Sequence, residues 1–272
     1  MWGGEPSFIN NVDRLKKSYQ IGSENKQLFD YIGIRLTQNP DFSITLDQNT
    51  YTQSINLIDI KDSKNNSNRT LTKEETTELR GALGKLNWLA GMSRPEISFQ
   101  VCQISTRVKI ATVSDIHRVN KLIKFVKGTD SFIKVPSIDL NSVSITVYAD
   151  ASFNNLPDGG SQGGFIIFLT DKLKNSVPTQ WSSSRIKRVA RSTLAAETLA
   201  MSEACNAASH ISNLYTELLN PINPQPVSVF TDNQSLFESI QTTKPTLDHR
   251  LRVEISFLRE MYNNGEISIK WV

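Results

Sequence analysis

The chain has 272 residues, enough for one large or two medium domains with buried cores. Apolar residues make up 38% and charged residues 21%, the balance of an ordinary globular protein rather than of a low-complexity chain. A formal charge of +3 permits a nucleic-acid partner without demanding one, and the two cysteines, Cys102 and Cys205, lie in apolar helix-like contexts that argue against a disulfide scaffold or a cysteine zinc site.

At the N-terminus, MWGGEPSF has no basic stretch leading into an apolar core, so it does not read as a signal peptide. A short helix is predicted over 8–19, then a hairpin whose arms are FDYIGIRLTQ and SITLDQ, separated by NPDF. The polar run KDSKNNSNRT, 61–70, reads as an exposed linker. Helices follow over 74–90, 95–108 and 114–126. Thr72 with Glu75 is spaced as a capping box, and Pro95 stands where a helix can begin. A second break falls at 127–140, around Gly128 and Pro136. Beyond it the pattern changes. SITVYADASF alternates with Val143, Ile145 and Val147 on one face, and GGFIIFLTD and VPTQWSSSRI supply two more strands. A helix over 194–219 ends at Asn220 and Pro221. PVSVFTD is a fourth strand, helices are predicted over 235–241 and 247–262, and EISIKWV is a fifth strand. Three hairpin-linked strands followed by a helical crossover predict a mixed α/β sheet with helices packed on it. No apolar run approaches the ~18 residues needed to cross a bilayer, so no membrane partner is expected and an intracellular, reducing compartment is the default.

Three carboxylates stand out. In the helix from Leu194, the residues Met201, Ala204, Cys205, Ala208, Ile211 and Tyr215 form one apolar stripe with Glu197 in its middle, whereas Glu203 and Glu217 point elsewhere. A carboxylate on such a stripe costs several kcal/mol unless it is paired or metal-bound, or unless it escapes at the sheet edge. Asp150 ends the first strand of this half, on the face opposite Val143, Ile145 and Val147, and Asp232 ends the fourth. Read singly, each Asp is equally a strand-end turn residue, and Asp232 an N-cap for the next helix. If the first and fourth strands are parallel neighbours, their C-terminal ends lie together, where ligands of such sheets bind. Three carboxylates without His or Cys favour a hard cation, magnesium or manganese, and two such ions serve phosphoryl hydrolysis. His117, His210 and His249 are scattered, no Gly-x-Ser-x-Gly elbow is present, and no glycine-rich phosphate loop is found.

Around this acidic set, WSSSRIKRVARST carries Arg185, Lys187, Arg188 and Arg191, readable as a phosphate grip or as a charge-protected edge strand. Ser152 and Asn154 after Asp150, and Asn233 and Gln234 after Asp232, are candidates for sugar contacts or plain turn residues. Trp181 and Trp271 read as core. In the helix over 247–262, Leu247, Leu251, Ile255, Leu258 and Tyr262 face inward, with Arg250, Arg252 and Arg259 on a solvated face.

The segments YADASF, QWSSSRIKRVARSTLAAETLA, VFTDNQS and LRVEISFLREMYNNGEISIKWV resemble the ribonuclease H domain of copia-type LTR-retrotransposon Pol polyproteins. WGGEPSF, FDYIGIRLTQ and SITLDQNTY resemble the end of that family's reverse transcriptase palm; LRGALGKLNWLAGMSRPEISFQV resembles its thumb and HRVNKLIKFVKGT its connection. The resemblance implies a ribonuclease H-like five-stranded mixed sheet over 141–272, preceded by a palm end over 1–62 and a helical segment over 71–135, of α+β character. It implies cleavage of the RNA strand of RNA–DNA hybrids, with two magnesium or manganese ions. Asp150 would bridge both ions, while Glu197 and Asp232 would complete separate shells. The alternative is an inactive remnant that binds nucleic acid without turnover. The implied partners are the hybrid and the rest of the polyprotein, namely the polymerase palm and integrase. The implied location is cytoplasmic, in a virus-like particle, or nuclear. The family's fourth carboxylate follows the fifth strand and its polymerase aspartates precede WGG, so this sequence is expected to carry three of the four ligands and no polymerase site.

Overall fold

The computed structural model describes residues 6–22, 24–25, 27–60, 67–139, 142–219, 225–242 and 248–272. The start of WGGEPSF, most of the polar linker, the helix stop at Asn220 and Pro221, and Leu247 lie outside these residues.

The first part of the chain runs α1 (Pro6–Ser18), β1 (Leu28–Tyr31), β2 (Ile34–Gln38), β3 (Ile44–Asp47), α2 (Asn49–Gln53), α3 (Lys73–Met92), α4 (Ser98–Ser105), α5 (Val113–Gly128) and β4 (Phe132–Val135). FDYIGIRLTQ is not one hairpin arm but two strands. Ile32 and Gly33 both take positive φ, 46° and 81°, which is the two-residue turn that suits a tight hairpin. Ile-Gly lacks the usual Asn-Gly or Asp-Gly signal, so the turn is hidden in an apolar run. The break at 127–140 also contains a strand: β4 pairs antiparallel with β3 and completes a four-stranded sheet, β1-β2-β3-β4. A partner so distant in sequence leaves no local trace.

The capping box forms at α3. Thr72 Oγ1 accepts from Glu75 N at 3.2 Å, and Glu75 Oε2 accepts from Thr72 N at 2.9 Å. The helix expected over 95–108 is shorter: a 3₁₀ turn over Pro95–Ile97 leads into α4, which stops at Ser105. Leu79, Leu86, Ile97, Ile104, Ile116 and Ile123, all essentially solvent-free, form the core between α3, α4 and α5. Burying each such side chain stabilises the fold by roughly 1.5–3 kcal/mol.

The second part runs β5 (Ser144–Ser152), β6 (Gln162–Thr170), β7 (Ser176–Arg185), α6 (Thr193–Leu219), β8 (Val227–Thr231), α7 (Gln234–Gln241), α8 (Arg252–Asn263) and β9 (Ile267–Trp271). The sheet order is β7-β6-β5-β8-β9, antiparallel through β7, β6 and β5 and parallel through β5, β8 and β9. This five-stranded mixed sheet with flanking helices is the ribonuclease H-like α/β arrangement expected from the sequence. Ile145, Val147 and Ala149 face α6, while Tyr148 and Asp150 face the opposite side. The face of α6 toward the sheet is built of small residues, Ala196, Ala200, Ala204 and Ala208, so the helix lies close to the strands. Gly163 makes the approach closer still, because a Cβ there would stand 3.3 Å from Ala200 Cβ and from Ile186 Cγ1.

Two aromatic assignments change. Trp271 is 56% exposed rather than core. Trp181 is half-buried, and its indole N–H donates to Ala90 O at 2.6 Å, tying β7 to the C-terminal turn of α3. On α8, Leu251, Ile255 and Leu258 are buried as expected, but Arg259 is not a solvated side chain: its guanidinium donates twice to Ser239 O, at 2.9 and 2.7 Å.

Candidate metal centre

β5 and β8 are parallel neighbours with Tyr148 opposite Phe230, so the positions just beyond, Asp150 and Asp232, sit at adjacent strand ends. Glu197 arrives from the first turns of α6, beneath the end of β5. One oxygen of each of the three carboxylates lies within 4.8 Å of the others. Asp150 and Asp232 are exposed, whereas Glu197 is 5% exposed. The Glu197 carboxylate comes near the Ala151 backbone N–H, which favours its charged form. Burial nevertheless dominates. Together with the charges of Asp150 and Asp232 it raises the Glu197 carboxyl to about 7, against the opposing effect of Ala151.

Asp232 does not cap α7. The cap is Asn233, whose Oδ1 accepts from Leu236 N at 2.9 Å. The Asp232 backbone is held from both sides. Thr231 Oγ1 accepts from Asn233 N at 3.1 Å, and the Trp271 indole N–H donates to Asp232 O at 3.2 Å. Thr231, Trp271 and the Ala151 N–H are therefore structural parts of the centre that sequence reasoning missed. No motif marks them, since each acts through a backbone group.

Among the described residues, none of the ion pairs involves Asp150, Glu197 or Asp232. Three converging carboxylates without a cationic partner, one of them held up near neutral pH, are suited to a hard divalent cation with oxygen ligands. Neither histidine nor cysteine belongs to the cluster.

The outer residues divide. Ser152 is exposed at the end of β5, and Asn154 follows in a turn with φ 54°, its N–H donating to Ser161 Oγ at 3.0 Å. Asn233 is occupied as a cap and Gln234 donates to Glu238 Oε1 at 2.8 Å. Arg185 pairs with Asp158 and lies over Gly160, where a Cβ would come within 2.7 Å of its guanidinium. Arg188 pairs with Glu254, while Arg191 is exposed.

Asp150 and Asp232 also line a groove of about 510 Å³ on the open face of the sheet. Tyr148 and Phe230 stack at its floor, with ring centroids 5.0 Å apart. Trp181 lies along it, and Pro95, Glu96 and Ser98 from the helical part form the facing wall.

No family model matches the chain. It is 25% identical over 287 residues to a retrovirus-related Pol polyprotein from transposon RE1 of Arabidopsis thaliana, covering 98% of this chain and 19% of that protein. The polyprotein from transposon RE2 of the same plant is 24% identical, covering 96% of this chain and 18% of that protein. The chain thus resembles transposon Pol polyproteins over nearly all of its own length while spanning about a fifth of theirs. Among solved structures, a foamy viral protease-reverse transcriptase in complex with an RNA/DNA hybrid is 14% identical with a TM-score of 0.47, covering 90% of this chain and 29% of that one. No helix among the described residues is long and apolar enough to cross a membrane.

Proposed function

We propose that this chain is the ribonuclease H part of a retrotransposon reverse transcriptase polyprotein and hydrolyses the RNA strand of RNA–DNA hybrids with divalent metal. The observation that carries this reading is the convergence of Asp150, Glu197 and Asp232 at parallel strand ends, within 4.8 Å of one another. The likeness to transposon Pol polyproteins supports the choice of substrate.

Asp150, Glu197 and Asp232 would hold magnesium or manganese between them. Such ions would supply Lewis-acid stabilisation of the phosphate and a water nucleophile at neutral pH. The chain's own contribution is positional. Thr231 and Trp271 fix the turn bearing Asp232, and the Ala151 N–H lies near Glu197 and favours its charged form. Ser152 and Asn154, exposed at and beyond the strand end, would contact ribose 2′-hydroxyls, which distinguish RNA from DNA.

The test is cleavage of a 5′-labelled RNA in an RNA–DNA hybrid by the chain in magnesium or manganese. Cleavage leaving a 3′-hydroxyl, lost on chelation and in Asp150→Asn, is expected. Salt-sensitive binding of the hybrid without turnover in either metal would instead identify an inactive nucleic-acid-binding remnant.

A further inference from the structure

Arg188 lies in the loop between β7 and α6, and its guanidinium pairs with Glu254 on α8 while donating to Arg250 O at 3.4 Å. Glu254, largely covered, also accepts from Ser202 Oγ of α6 at 2.6 Å. Below this junction Ala195, Leu251 and Ile255 form a small apolar cluster with Ala190 and Leu194 packed on it. Two stretches far apart in sequence, 187–191 and 249–252, are thereby fastened into one surface. It exposes Lys187, Arg188, Arg191, His249, Arg250 and Arg252, and its acidic members are Asp248 and the already paired Glu254. The Asp248 carboxylate accepts from Arg250 N at 2.9 Å, which keeps it in the turn. Glu197 is four residues into α6, about 6 Å along the axis from its start. The stretch 187–191 leads directly into the helix that bears Glu197.

A surface of this sign attracts a polyanion. We propose that the Arg188–Glu254–Ser202 junction clamps the two stretches into a single phosphate-backbone surface, with Lys187, Arg191 and Arg250 facing the nucleic acid and Arg188 serving as the positioning residue. The inference rests on the nuclease reading for its substrate. It departs from a simple basic patch because Arg188 acts through Glu254 and not through phosphate, and Arg185, committed to Asp158 and Gly160, is left out.

The experiment is fluorescence anisotropy of a labelled RNA–DNA hybrid on the full chain carrying Asp150→Asn, in EDTA, across a salt series. Replacing Lys187, Arg191 and Arg250 together with Ala is expected to weaken binding and to reduce the salt slope by about two to three, near one per lost phosphate contact. An unchanged slope would overturn the surface. Arg188→Glu is expected to weaken binding about tenfold, and the exchange Arg188→Glu with Glu254→Arg to restore it to within about threefold, because the exchange rebuilds the clamp. Failure of the exchange to restore binding, with melting temperature unchanged, would overturn the positioning role. The readout is binding alone. A chain that binds through this surface but never cleaves would refute the nuclease reading and leave this inference standing.

Discussion

Glu197 experiences burial and two neighbouring negative charges together, and the consequence is a pH dependence of definite sign. Its carboxyl is raised to about 7 in the folded, metal-free chain, from an ordinary value near 4.5, chiefly by burial and then by Asp150 and Asp232. Between those values the native state keeps a proton that the unfolded state has lost. Stability is therefore greatest at or below the ordinary value and falls as pH rises through about 7. A shift of this size corresponds to roughly 3 kcal/mol. Urea melts of the metal-free chain at pH 5 and pH 8 are expected to show that loss, and Glu197→Gln to abolish most of it. Magnesium must displace the same proton, so its affinity is expected to rise over the interval. A pH-independent stability in both proteins would contradict the placement of Glu197. The cluster is legible in the sequence because Glu197 breaks an apolar stripe. The groups that hold it are not, because Ala151 acts by a backbone N–H and Trp271 by reaching a carbonyl.

At the scale of elements, the centre depends on how closely α6 approaches β5 and β6. Gly163 is opposite Ala151, whose N–H meets Glu197, and it faces Ala200, one helical turn along from Glu197. Its φ is not positive, so any cost of a side chain there is steric alone. The glycine pair before FIIFL is visible in the sequence, but its purpose is not, since only the helix packed against it explains the missing Cβ. Gly163→Val would push Ala200 and Ile186 away, destabilising the fold by about 1–3 kcal/mol and lifting Glu197 from Ala151. The expected result is a lower urea midpoint together with a smaller magnesium-induced rise in melting temperature. Gly163→Ala, needing a shift of only a few tenths of an ångström, is expected to fall between. If Gly163→Val lowered stability but kept the full magnesium response, the helix would have slack that the contacts do not suggest.

The whole molecule is where the sequence says least. The five strands of the second part and their mixed sheet follow from local pattern, hairpins and a crossover, and are readable, whereas the full strand order is seen only in the fold. The pairing of β4 with β3 and the apposition of Pro95, Glu96 and Ser98 to the groove arise between segments far apart in the chain. Trp181 reads as core for the same reason: its composition speaks of burial, and only the assembled fold shows its indole N–H spanning to Ala90. This bond fixes the wall of the groove relative to the sheet bearing Asp150 and Asp232. Trp181→Phe retains most of the ring and deletes the donor, at a cost of about 1 kcal/mol. Hydrogen exchange is expected to quicken in peptides at the end of α3 and in β7, while β5 and β8 keep their protection. Magnesium binding should be unchanged, because none of the three carboxylates moves with Trp181, whereas KM for the hybrid should rise as the facing wall loosens. An equal loss of magnesium affinity and of hybrid affinity would show instead that the helical part supports the carboxylates themselves and not merely the approach to them.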